Sequence, residues 1–155
     1  MKNKITHIML GAVLSLVWTG AYVQADTPYN APQRVILRAA KAGAEQLQQA
    51  LAGGLDINAT DDDGETALME AADDGNLRAV NNLIAAGANV NLRNDDAETA
   101  LMMAADEGHT AVVRSLISAG ADVNAVDEDG ETALRKALGD RHRETAEVLR
   151  QAGAR

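Results

Sequence analysis

The chain has 155 residues, 46% of them apolar, with no cysteine, no phenylalanine and a formal charge of −9. Without cysteine there is no disulfide in any compartment and no lipid-modified cysteine. Stability has to come from packing alone.

The opening stretch, MKNKITHIMLGAVLSLVWTGAYVQA, predicts a secretory signal peptide over residues 1–25. Lys2 and Lys4 supply the positive start, Ile8 to Trp18 the short apolar core, and Val23-Gln24-Ala25 the small residues of a cleavage site. A membrane-spanning helix needs about 20 apolar residues, and this run stops at eleven, before Thr19 and Gly20. Cleavage after Ala25 is therefore expected, with no membrane attachment afterwards. The two-lysine start suits a bacterial export signal and the periplasm. Loss of Lys2 and Lys4 takes the charge from −9 to −11. Residues 26–32 (DTPYNAP) hold two prolines and no periodicity, and are expected to be a mobile tail.

The rest of the chain, 33–155, repeats itself. GETALMEAADDGNLRAVNNLIAAGANVNLRNDD (64–96) returns as AETALMMAADEGHTAVVRSLISAGADVNAVDED (97–129) and, shortened, as GETALRKALGDRHRETAEVLRQAGAR (130–155). Thr66, Thr99 and Thr132 are spaced by 33 residues, as are Gly87, Gly120 and Gly153. A fixed period of that size signals a stacked array. Each unit carries two short helical patterns: Ala67, Leu68, Ala71 and Ala72 mark one face, and Leu77, Val80, Leu83 and Ile84 another. Gly75 separates the two helices, and Gly87 ends the second, where a left-handed residue suits glycine. The threonine at each start is placed to cap free N–H groups.

Residues 33–63 form a degenerate first copy. Ala39–Gly43 echoes Ala71–Gly75 at an offset of 32, whereas Asp56-Ile57-Asn58 echoes Asn89-Val90-Asn91 at 33. Its second helix is accordingly expected to be one residue short. Gln33, Arg34, Arg38, Gln46, Gln48 and Gln49 make it more polar than the inner copies, as a terminal repeat without a covering neighbour requires. In the last copy Arg150 stands where Ile84 and Ile117 stood, by the same rule. The prediction is all-α: a solenoid of about four helix-turn-helix units joined by hairpin loops.

These residues resemble the ankyrin repeat, whose pattern is D-x-x-G-x-T-P-L-H-x-A-A-x-x-G-H followed by an apolar helix ending L-L-x-x-G-A-D-V-N. Asp61, Gly64, Thr66, Leu68, Ala71, Ala72, Gly75, Leu83, Gly87, Ala88, Val90 and Asn91 fit it once. Ala104, Ala105, Gly108, His109, Gly120, Ala121, Asp122, Val123 and Asn124 fit it again. Two positions depart: alanine (67, 100, 133) replaces the proline, and Met69, Met102 or Arg135 replaces the following histidine. The family histidine braces its repeat, so the resemblance implies an array somewhat less stable than the norm.

Enzyme chemistry finds little footing. Without cysteine a nucleophile would have to be Ser, Thr, Lys or a carboxylate, and the two serines after residue 25, Ser115 and Ser118, fall on the polar side of a second helix. His109 and His142 share one repeat position and lack a base-orienting partner, so a structural role is expected of both. Asp61-Asp62-Asp63-Gly64 and Asp127-Glu128-Asp129-Gly130 look like half a calcium loop, but the helix begins at once and the terminal bidentate glutamate is missing. A hairpin turn is expected there, with no metal or cofactor.

A binding surface fares better. The resemblance implies that partners meet the hairpin tips and the concave side of the first helices. Carried over residue by residue, those positions hold Asp62, Asp63, Glu65, Asp73, Asp74 and Arg93, then Asp95, Asp96, Glu98, Asp106, Glu107 and Val126, then Glu128, Asp129, Glu131, Gly139 and Asp140. Fourteen of these seventeen are acidic, whereas the second helices are mixed, with Arg78, Asn81, Asn82, Arg114, Arg143 and Glu147. Lys41 reverses the sign at the amino-terminal end. Solubility alone does not require acids to line one groove, and a surface of one sign speeds association with an oppositely charged partner. The expectation is a monomer that binds a basic protein surface and not nucleic acid, which needs positive charge. Aromatic anchors are few (Tyr29 in the tail), and Met69, Met102 and Met103 suit repeat packing, so binding should lean on charge and fall with salt. An inhibitor, immunity or holding factor for a secreted or envelope enzyme fits that surface. The alternative implied by the resemblance to small periplasmic ankyrin proteins is an accessory role in oxidative-stress defence beside a catalase.

Overall fold

The computed structural model describes residues 32–155. The expected signal peptide, its expected cleavage site and the expected tail as far as residue 31 lie outside the described residues. Pro32, assigned to the tail by its sequence, is instead the first residue of a helix, where its missing N–H leaves no bond unmade.

Eight helices form four antiparallel pairs among the described residues: α1 (Pro32–Ala42) with α2 (Ala44–Ala52), α3 (Ala67–Asp73) with α4 (Leu77–Ala85), α5 (Ala100–Asp106) with α6 (Thr110–Ser118), and α7 (Ala133–Gly139) with α8 (Arg143–Gln151). First helices stack on first helices and second helices on second helices, giving two layers. This is the all-α repeat solenoid that the 33-residue period predicts.

The first helices can lie close because their facing residues are small. Ala67, Ala71, Ala72, Ala100, Ala104, Ala105, Ala133 and Ala137 are all buried, and Leu68, Leu101, Val80, Leu83, Val113, Leu116 and Leu149 fill the space behind them. Met69 and Met102 are buried at 1% exposure, so they pack between repeats and offer nothing to a partner. Met69 also takes over part of the work of the absent histidine: its sulfur accepts the Thr66 N–H at 3.4 Å while the Thr66 hydroxyl accepts from Met69 N at 3.3 Å. Thr99 and Thr132 cap α5 and α7 through the same bond.

The shortened first copy is corrected by the structure. α2 and α4 both have nine residues. The residue lost lies in the turn between helices, where Gly43 alone does the work of Gly75-Asn76. In the later pairs that added position is held by His109 and His142.

Each stacking step is tied along the hairpins. The Asp95 N–H donates to the Asp63 carbonyl and the Glu128 N–H to the Asp96 carbonyl, both at 3.1 Å. A second ladder runs through Asn58, Asn91 and Asn124, whose Oδ1 atoms accept from the N–H groups of Asn89, Asp122 and Arg155 in the next copy.

Candidate protein-binding face

The tips begin with a side chain that builds its own turn. Asp61 Oδ1 accepts from the N–H groups of Asp63 at 3.1 Å and Glu65 at 2.9 Å. Asp127 does the same for Asp129 at 3.1 Å and Glu131 at 2.8 Å, and Asn94 for Glu98 at 2.8 Å. This is the short polar side chain turning back on its own backbone. Asp61 and Asp127, the first acids of the two stretches that suggested half a calcium loop, are thus committed to turns, and among the described residues no three His, Asp or Glu side chains converge as ligands. The turns hold Asp62, Asp63, Asp95, Asp96, Glu128 and Asp129 outward, all exposed.

Behind the tips Glu65, Glu98 and Glu131 stand half-buried just ahead of the capping threonines. At the other ends of the first helices lie Asp73 with Asp74, Asp106 with Glu107, and Asp140. A helix C-terminus carries partial negative charge and favours cations, so these five acids occupy the less favourable end. Three groove carboxyls are pushed above the ordinary range. Burial raises Glu65 first, with Asp61, Asp73 and Asp63 adding repulsion. Burial again leads for Asp73, followed by Glu107 and Asp74, with His109 opposing. For Asp106 burial is followed by Lys136, which lowers it, and then by Asp140, which raises it by charge and by a shared hydrogen bond.

The face is not uniformly anionic, as a reading of the acids alone suggests. Lys136 Nζ lies 2.7 Å from Glu98 Oε1 and 3.1 Å from Asp127 Oδ2, with 13% of its side chain exposed. Burial works against its charge, but the hydrogen bonds and charges of Glu98 and Asp127 prevail and hold the ammonium above the usual lysine range. Asp127 shows the converse: burial would raise it, but the N–H groups of Glu131 and Asp129 and the ammonium of Lys136 keep it below the usual aspartate range. At the amino-terminal end Lys41 pairs with Asp74 at 2.6 Å, and at the last tip Arg135 pairs with Glu131 at 3.0 Å. Arg93 is turned along the stack, its guanidinium donating to the Val126 carbonyl.

Sequence reasoning missed Lys136 because its register position is filled by Arg38, Glu70 and Met103 in the preceding copies, which gave no single pattern to follow. The signal was there in the segment ALRKAL, the one first helix with a lysine at that point.

The histidines serve the fold. His109 Nε2 donates to the Asp73 carbonyl at 2.8 Å, and the rings of His109 and His142 lie over Gly75 and Gly108 of the preceding copies. Ser115 and Ser118 bond Asn81 and the Arg114 carbonyl on the second-helix layer.

Four stacked helix pairs presenting hairpin tips and the ends of their first helices define a protein-binding repeat module. The family profile described as ankyrin repeats (3 copies) matches residues 36–127 and again 68–155. The chain belongs to the ankyrin-repeat family, whose members are typically non-enzymatic protein–protein interaction modules. A search of curated proteins found no significant match.

Proposed function

We propose that the chain is a non-enzymatic, exported binding protein of the bacterial periplasm whose acidic concave face engages a basic surface on a protein partner. Within that reading it acts as an inhibitor, immunity or holding factor for a secreted or envelope enzyme, by covering a site it does not itself possess. One observation carries the acidic face: Asp73, Asp74, Asp106, Glu107 and Asp140 crowd the C-terminal ends of the short first helices. Local stability favours cations at those ends and disfavours stacked like charges. Apart from Asp74, which pairs with Lys41, folding therefore gives no reason for acids there, and a cationic partner does.

The test is capture from periplasmic extract by residues 26–155, repeated with Asp73→Asn, Asp106→Asn and Glu107→Gln combined. Asp74 is left intact because it holds Lys41. The wild type should retain a basic protein at low salt and release it at high salt, and the triple variant should retain none. Undiminished capture by the triple variant would reduce the acids to a solubilising surface.

A further inference from the structure

In the three copies after the first, one register position reads Glu70, Met103 and Lys136. In the last, the side chain crosses to the preceding tip and places an ammonium between two carboxylates, Glu98 at 2.7 Å and Asp127 at 3.1 Å. The site it enters is an open depression of about 320 Å³ lined by Asp96, Glu98, Asp127, Glu128, Asp129 and Lys136. Apart from Lys136 itself, every lining residue is acidic. This depression in the acidic face therefore already holds a cation, bound by two carboxylates as a partner's lysine or arginine would be. One copy earlier the same register offers Glu65 and Asn94, with the uncharged Met103 in the lysine's place.

We propose that Lys136 is an internal competitor, occupying the cation slot of Glu98 and Asp127 that a partner's basic side chain would otherwise enter, and so setting how tightly the face binds. This rests on the reading of the face as a docking surface for a basic protein. An incoming cation must either displace Lys136, giving up two charge-assisted hydrogen bonds, or settle for the exposed tip acids. The lysine thereby suppresses binding to isolated cations and favours a partner that engages several sites at once. Lys136 is the specificity-setting residue of the face, although it carries the partner's own sign.

The experiment compares wild type, Lys136→Met and Lys136→Arg, each as residues 26–155, binding a fluorescently labelled oligolysine peptide by anisotropy at low salt. Lys136→Met places at this position the residue that occupies 103, and should tighten binding about tenfold, the effect of one charge-assisted contact. Lys136→Arg keeps the slot filled and should bind as the wild type does. If the wild type binds and Lys136→Met binds no more tightly, the competitor role is wrong while the acidic face stands. If neither binds, the acidic face fails and the competitor role fails with it. Should Lys136→Met not fold, the Lys136 ammonium signals in NMR spectra of the wild type decide the matter. They should lose their slowed exchange as peptide saturates, and unchanged signals at saturation would overturn the proposal.

Discussion

Gly108 is where the stacking of two copies should prove least forgiving. Its φ is 71°, in the left-handed region, and a Cβ added there would lie 2.3 Å from His142 Nδ1 and 2.5 Å from its Cγ. The backbone term for Gly108→Ala is about 1–2 kcal/mol, offset by roughly 0.4–1 kcal/mol from the stiffer unfolded chain. Displacing the ring adds an overpacking term of about 1–3 kcal/mol. The single substitution should therefore cost about 2–4 kcal/mol. Removing the ring by His142→Ala lifts the clash, so in that background Gly108→Ala should cost only the net backbone term, about 1 kcal/mol. Urea unfolding followed by circular dichroism at 222 nm on the four proteins of this cycle gives the coupling directly. Costs that add to within about 0.5 kcal/mol would show that the ring does not dictate the glycine, and the packing argument would fail.

Ala97 and Arg141 hold φ values of 63° and 65° at register positions where the other copies have glycine. Ala97→Gly and Arg141→Gly should each stabilise by about 0.5 kcal/mol, the left-handed strain relieved being larger than the entropy lost. A urea midpoint that stays put or falls would refute the strain. Stability should also rise as pH falls into the range where the raised carboxyls take up protons. Glu65, Asp73 and Asp106 have folded values raised above 4.5, 3.8 and 3.8, so the folded chain takes up protons before the unfolded chain does. Asp127 works the other way, its contribution being present above 3.8 and lost only as pH falls through its lowered value. The melting temperature should thus climb as pH falls through the raised values of these carboxyls towards their unfolded values, and Glu65→Gln, Asp73→Asn and Asp106→Asn together should flatten the climb.

How much of this was legible depended on whether a residue acts within its own repeat or across to the next. Thr66, Thr99 and Thr132 act locally, and their capping follows from spacing alone. So do the αL glycines and the alanine faces, which is why helix order and layer assignment could be read directly. The missing residue of the first copy was misplaced because an offset change between Gly43 and Asp56 locates a deletion only to the interval, and helix and turn compete for it. Lys136 was missed for a different reason. Its partners Glu98 and Asp127 lie 38 and nine positions away, and their meeting depends on how the copies stack. The acids could be counted from the sequence, but their neutralisation could not.

Fold and face are nearly separable in this chain. Positions 71, 104 and 137 are alanine and fully buried in the last three copies, while the position just before each runs from Glu70 to Met103 to Lys136. Small residues fix the approach of the helices, and the adjoining side chain is left to choose a charge. The two are joined only through electrostatics: the carboxyls that burial and mutual repulsion push upward, Glu65, Asp73 and Asp106, oppose folding when they ionise. A basic surface laid against them, as proposed above, would remove that same repulsion, and part of the binding free energy would then be strain already stored in the unbound array. Salt would act on both sides at once, screening the repulsion that destabilises the free protein and the attraction that would hold the proposed complex. On that proposal, tight binding and a less stable free state are two measures of one arrangement of charge. Lys41, Arg135 and Lys136 are the residues through which the chain moderates it.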